Sequence, residues 1–144
     1  MKTSEIKAYL LSQGCSESSF AVESRGSASD AHCLIQDGGD WVVFYTERGC
    51  DSPPVFSSPS EEAACDYFIK LILAEKHWHL VGSFIHESAA ISLAQKVEQL
   101  GVKPVRNDIP NYSKEGDARY RVFVMGKDIF PIRKAMPNIP ILEE

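Results

Sequence analysis

The 144-residue sequence has no long hydrophobic run, no low-complexity tract, two tryptophans and three methionines. Without about 20 consecutive apolar residues, no segment reads as a membrane-spanning helix. The opening MKTSEIKAYLLSQGC carries a glutamate at position 5 and only short apolar clusters. With a single early lysine ahead of that glutamate and no apolar centre it does not read as a secretory signal, and a cytoplasmic location is expected. Cysteines 15, 33, 50 and 65 form no Cys-x-x-Cys pair. Three disulfide pairings are open to four cysteines, but in a reducing compartment they read as free, mostly buried thiols. Gly-x-Ser-x-Gly, phosphate-loop, dinucleotide-binding and His-Glu-x-x-His patterns are also missing, so no enzyme, cofactor or metal centre is expected.

What is present suits a folded chain. Hydrophobic residues make up 44%, charged residues 24% and aromatic residues 10%, enough for one domain or two small ones. Net charge is −5, and division after Glu75 gives halves of −7 and +2. An acidic first half disfavours nucleic acid and anionic membranes as ligands and favours a basic partner, such as a nuclease-like protein.

The apolar spacing of Ile6, Tyr9 and Leu10 predicts a helix over Ser4–Gln13, with Gly14 as its stop. Three β-prone stretches follow at Phe20–Glu23, His32–Gln36 and Trp41–Thr46, the last two flanking a hairpin turn at Asp37-Gly38-Gly39-Asp40. WVVFYT is apolar at both alternate sets of positions, which suits a central strand covered on both sides. Ser58-Pro59-Ser60-Glu61 offers a capping serine, a proline at the first helical position and a glutamate two residues later. That predicts a second helix from Ser58 to about Glu75, with Ala64, Cys65, Phe68, Leu71 and Ile72 inward. Trp41 and Phe68 are expected in the core.

From Trp78 alternation predicts a strand with Trp78, Leu80, Gly82 and Phe84 on its buried face and His77, His79 and Ser83 mostly on the other. A helix over Glu87–Leu100 ends at Gly101, and Val102–Ile109 reads as a strand. A loop from Pro110-Asn111 through Gly116-Asp117 leads to a strand at Arg119–Val124. A short helix follows Asp128, and a last strand is open at Ile139–Leu142. The expected fold is α+β: an N-terminal α-β-β-β-α half over 1–75, packed with a β-α-β-β-α(-β) half over 76–144. With no Gly, Pro or Ser run at Ala74–His77, the halves are expected to unfold as one cooperative unit.

Two resemblances rest on specific residues. Val81-Gly82-Ser83-Phe84, Ala89-Ala90, Leu93 through Gly101 and Tyr120-Arg121-Val122 resemble the SPOR module of bacterial cell-division proteins, over residues 78–144. That likeness implies a ferredoxin-like fold and binding of peptidoglycan glycans stripped of their peptides. Gly39-Asp40-Trp41-Val42-Val43-Phe44-Tyr45-Thr46-Glu47-Arg48-Gly49 and Glu61-Glu62-Ala63-Ala64-Cys65-Asp66-Tyr67-Phe68 resemble the immunity proteins that bacteria encode beside polymorphic and contact-dependent toxins. That likeness implies a non-catalytic protein that binds a cognate toxin domain and blocks it.

Candidate toxin-binding residues are Asp37, Asp40, Glu47 and Asp51, carboxylates at predicted turns of the acidic half. Arg119 and Arg121, alternating with buried positions on one strand face, form the alternative binding face. Glu47-Arg48-Gly49 also reads as a turn built on an Arg–carboxylate pair. Glu61 and Glu62 are accounted for by the helix N-terminus. His77, His79 and His86 lack further metal ligands at a usable spacing, so a half-exposed strand face is expected.

Overall fold

A computed structural model describes residues 1–26, 28–110 and 118–143. Apart from Pro110, the loop expected at Pro110–Asp117 lies outside the described residues. Those residues form four α-helices and two mixed sheets, an α+β protein dividing into two compact units, Met1–His77 and Trp78–Glu144.

The first unit starts with α1 (Thr3–Ser12) and β1 (Phe20–Val22). The antiparallel hairpin β2 (Ala31–Asp37) and β3 (Asp40–Glu47) follows in register, with Asp37 opposite Asp40 and Leu34 opposite Val43. Gly38 sits at φ 64° in the turn, a conformation costly for most side chains, as the Gly-Gly pair predicts. Sequence reading missed β4 (Cys50–Asp51) and β5 (Phe56–Ser58), which pair with the two ends of β3. Pro53-Pro54 removes two backbone donors between them, so neither piece reaches the length that alternation can detect.

Helix α2 (Glu61–Leu73) begins two residues later than expected. Ser58 belongs to β5 opposite Trp41, and Ser60 is the cap, its Oγ accepting the Ala63 N–H at 3.1 Å. The inner face of the hairpin, with Leu34 and Val43, packs against Ile6 and Leu10 of α1 and Ala64, Cys65, Phe68 and Ile72 of α2. Phe68 is fully buried as expected, whereas Trp41 is only half-buried at the margin of this core.

Strand β1 runs parallel to β2 at the sheet edge, although only eight residues connect them. Parallel neighbours ordinarily need a crossover of a dozen or more. The short connection uses left-handed backbone at Glu23 (φ 71°), Gly26 (φ 54°) and Asp30 (φ 55°). It reaches across the end of the sheet, where Arg25 pairs with Asp51 at 3.2 Å and Ser29 Oγ accepts the Arg48 N–H at 3.2 Å. On the sheet face turned from the helices, Ala31, Cys33, Phe44 and Thr46 are buried as well. Both faces of β3 are therefore covered, in keeping with its doubly apolar sequence.

The second unit runs β6 (Trp78–Phe84), α3 (Glu87–Gln99), β7 (Val105–Arg106), β8 (Tyr120–Met125), α4 (Ile129–Ala135) and β9 (Ile141–Leu142). Its sheet order is β7-β8-β6-β9. Two split βαβ units, the ferredoxin-like arrangement, would set β9 antiparallel to β6. Here Gly82 and Ser83 pair with Ile141 and Leu142 in parallel. The strand expected over Val102–Ile109 contracts to two residues plus an isolated bridge from Ile109 to Arg119.

A β-bulge between Leu80 and Gly82 overturns the expected facing of β6. Gly82 and Phe84 lie opposite Val122 and Tyr120 on the helix-covered face, with Val81 also buried. Trp78 and Leu80 lie opposite Met125 and Phe123 on the other face. One extra residue shifts the two-residue alternation by one, so the strand's first half points away from the core. Core packing explains Gly82 itself. A Cβ there would stand 2.6 Å from Leu93 Cδ2 and 2.7 Å from the Phe84 ring.

Candidate functional site

The four acidic candidates divide into two pairs. Asp37 and Asp40 flank the β2–β3 turn, while Glu47 and Asp51 belong to the β3–β4 turn, at the opposite end of β3. At about 3.4 Å per residue, the eight-residue β3 keeps these turns roughly 25 Å apart. They do not make one patch. Asp37, Asp40 and Glu47 are exposed and form no ion pair among the described residues, whereas Asp51 is held by Arg25.

The Glu47–Cys50 turn places Arg48 (φ 51°) and Gly49 (φ 80°) both in left-handed backbone, the two-residue hairpin geometry with the right twist. The expected Arg–carboxylate pair is not seen among the described residues; the Arg48 backbone N–H donates to Ser29 Oγ at 3.2 Å. A shallow depression of about 510 Å³ lies here, lined by Tyr45, Glu47, Arg48, Cys50, Asp51 and Ser52. Burial, reinforced by the nearby carboxylates of Asp30, Glu47 and Glu75, pushes the Tyr45 phenol up.

A second, larger cleft of about 700 Å³ opens beside β1, between the first turns of α1 and the Glu23–Ser29 connection. Thr3 donates its backbone N–H to Glu61 Oε2 at 3.3 Å, and its Oγ1 lies 2.9 Å from Glu61 Oε2 and 3.1 Å from Glu23 Oε1. One hydroxyl proton serves one carboxylate at a time, so two acids share a single donor. Both cations that line the cleft are paired, Lys7 with Glu17 of the same cleft at 2.9 Å and Arg25 with Asp51.

In the second unit, Arg121 lies on the open sheet face with Trp78, Leu80 and Phe123. Its guanidinium lies 5.1 Å from the Phe123 ring centre and donates from Nε to the Asn107 carbonyl at 2.8 Å. Trp78, 40% exposed, meets Phe123 edge-on at 5.5 Å. Arg119 precedes β8, its backbone bonded both ways to Ile109 and its Nη1 donating to the Ala118 carbonyl at 3.0 Å. Arg106, on β7, is held bidentately by Asp108 and reaches Glu87 at 3.3 Å. Those bonds, the Asp108 one first, raise its pKa above the ordinary arginine value, against the opposing effect of burial.

The histidines serve the fold. His77 precedes β6 and is buried, which corrects its expected place on a half-exposed strand face. Its Nδ1 accepts the Ser16 N–H at 3.0 Å, so Nε2 carries the proton and donates to the Ile72 carbonyl at 2.7 Å. His32 pairs with Glu75 at 2.8 Å, and His86 with Glu143 at 3.0 Å. All four cysteines are free; Cys15, Cys33 and Cys65 are buried and Cys50 is exposed. Burial, with Glu61 adding, pushes the Cys65 thiol up to about 11. Burial likewise raises Cys15 and Cys33. Among the described residues, no three His, Cys, Asp or Glu side chains are grouped to hold a metal ion, and no helix is long and apolar enough to cross a membrane.

Sequence reasoning missed two surfaces. Thr3, Glu23 and Glu61 are separated by 20 and 58 positions, with no local signal linking them. Alternation places Trp78 and Leu80 inward, because the bulge leaves no mark in an alternating strand, and so hides that they join Arg121 and Phe123 on one face. Comparison with protein-family models, with curated proteins and with solved structures finds no match to this chain.

Proposed function

We propose that this chain is an immunity-type inhibitor, a non-catalytic cytoplasmic α+β protein that binds a cognate basic toxin domain and occludes its active site. The observation that carries the reading is the set of exposed carboxylates, unpaired among the described residues, at the two ends of the β2–β3 hairpin: Asp37 and Asp40 at one, Glu47 at the other. Such carboxylates steer a basic partner and can stand in for an anionic substrate. The likeness of the Gly39–Gly49 and Glu61–Phe68 segments to immunity proteins points the same way. The test uses the toxin domain encoded beside this gene. Asp37→Lys with Asp40→Lys should slow association and weaken its salt dependence while leaving the melting temperature nearly unchanged. An unchanged association rate removes this end from the interface.

A second reading, glycan binding of the SPOR type, is favoured by one observation: the Trp78–Phe123 pair with Arg121 stacked beside it on an open sheet face. Aromatic faces stack on sugar rings, and an arginine fork binds their polar substituents. Glycan strands stripped of peptides should then alter Trp78 fluorescence, and Arg121→Glu should abolish the change. No response to those strands rejects this reading.

A further inference from the structure

The cleft beside β1 runs along one edge of the first sheet, where β1 pairs with β2 alone. At the other edge β4 and β5 are broken by Pro53-Pro54, which spoils a template. In β1 the direction of the backbone is settled by one bond: Glu23 N–H donates to the Leu34 carbonyl at 2.8 Å. Backbone groups alternate along a strand, so Ala21 and Glu23 address β2 while Phe20 and Val22 turn their N–H and C=O groups outward. Their side chains are anchored in the core, Phe20 buried and Val22 packed against it. The strand is a fixed template that lines this cleft.

Charge selects what can lie there. Lys7 pairs with Glu17 and Arg25 with Asp51, so each cation that lines the cleft already faces a carboxylate. Glu23, directly after the strand, forms no ion pair among the described residues and shares the Thr3 hydroxyl with Glu61. The local arrangement has more acceptors than donors, and a cationic donor would complete it.

We propose that this cleft is a strand-addition site: an extended segment of a partner protein pairs with the outward backbone groups of Phe20 and Val22 and sets a lysine or arginine at Glu23. Backbone pairing holds the segment, and the charge decides which segments are held. The site is separate from the Asp37–Asp40 turn and does not depend on the inhibitor reading.

The test needs no natural partner. Two seven-residue peptides of alternating valine and threonine, one with a central lysine and one with a central glutamate, are titrated into the isotope-labelled full chain and followed by NMR. The lysine peptide should shift the amides of Phe20–Glu23 and slow hydrogen exchange at Val22 N–H. The glutamate peptide should bind about three- to fivefold more weakly, the scale of one exposed ion pair. Glu23→Gln should erase that difference while keeping the β1 shifts. Equal binding of the two peptides, shifts that spare Phe20–Glu23, or no shifts with either peptide at millimolar concentration overturns the proposal. A toxin domain that binds the wild type and is indifferent to Glu23→Gln leaves the inhibitor reading intact while removing this cleft from its interface.

Discussion

The two units solve the same problem differently. Each lays helices against one face of a sheet and buries a comparable aliphatic core, Leu34, Val43, Phe68 and Ile72 in the first and Val81, Leu93, Val122 and Val124 in the second. They part on the other face. In the first unit that face is closed, with Ala31, Cys33, Phe44 and Thr46 all buried. In the second it bears Trp78, Phe123 and Arg121, with Leu142 63% exposed beside them. A sheet with two covered faces leaves its edges and turns for binding, while a sheet with one open face can bind across its strands. That difference is why the acidic turns and the β1 edge are the candidates in one unit and an aromatic platform is the candidate in the other.

The comparison can be broken at its cores and sharpened at its second faces. Phe68→Ala should cost about 3–5 kcal/mol in denaturant unfolding, against about 1–2 kcal/mol for Phe123→Ala on the open face. Equal costs would mean that the open face is as tightly packed as the core. Gly82→Ala should cost about 1–3 kcal/mol, because the new methyl meets Leu93 and Phe84 inside contact distance. A neutral result would show that the bulge relaxes to make room.

Thr46→Val should raise stability by about 1 kcal/mol. The Thr46 hydroxyl is fully buried and has no hydrogen-bond partner among the described residues, so its removal ends a desolvation cost. A loss of stability on that change would reveal a partner for the hydroxyl, and with it a polar role for the closed face.

The smallest effect concerns pH. Desolvation tends to raise the Glu143 carboxyl, but it is outweighed by the N–H groups of Ile85 and His86 and by the His86 ring, so its pKa lies below the ordinary glutamate value. A depressed folded-state pKa contributes stability above the unfolded value, and this is lost as pH falls through the folded one. An NMR titration should therefore place the Glu143 midpoint below about 4.3, with the Ile85 and His86 amides following it. A midpoint at or above that value would show that β9 and the residue after it do not hold the start of α3.

Much of the secondary structure was legible locally. The glycine pair between two apolar runs marked the hairpin, and the stripes through Phe68 and Val97 marked helices, because those signals act within one turn or one strand. Short-range competition was harder to read. Ser58 and Ser60 are equally good caps by type, and pairing of Ser58 with Trp41 in the sheet decided between them. Glu47 and Asp51 stood close to Asp37 and Asp40 in sequence, yet an extended strand carried them to the far end of the sheet.

By itself the sequence determined the α+β class, the acidic and near-neutral halves, the doubly apolar β3 and most of the helices. Each follows from residue type at a spacing of two or 3.6, or from a plain sum of charge. Only the tertiary structure decided that Trp78 faces outward, that β9 runs parallel to β6, that β1 forms an open edge and that Glu23 and Glu61 meet at Thr3. Those outcomes depend on a one-residue bulge, on strand direction and on contacts between residues tens of positions apart, none of which leaves a periodic trace along the chain.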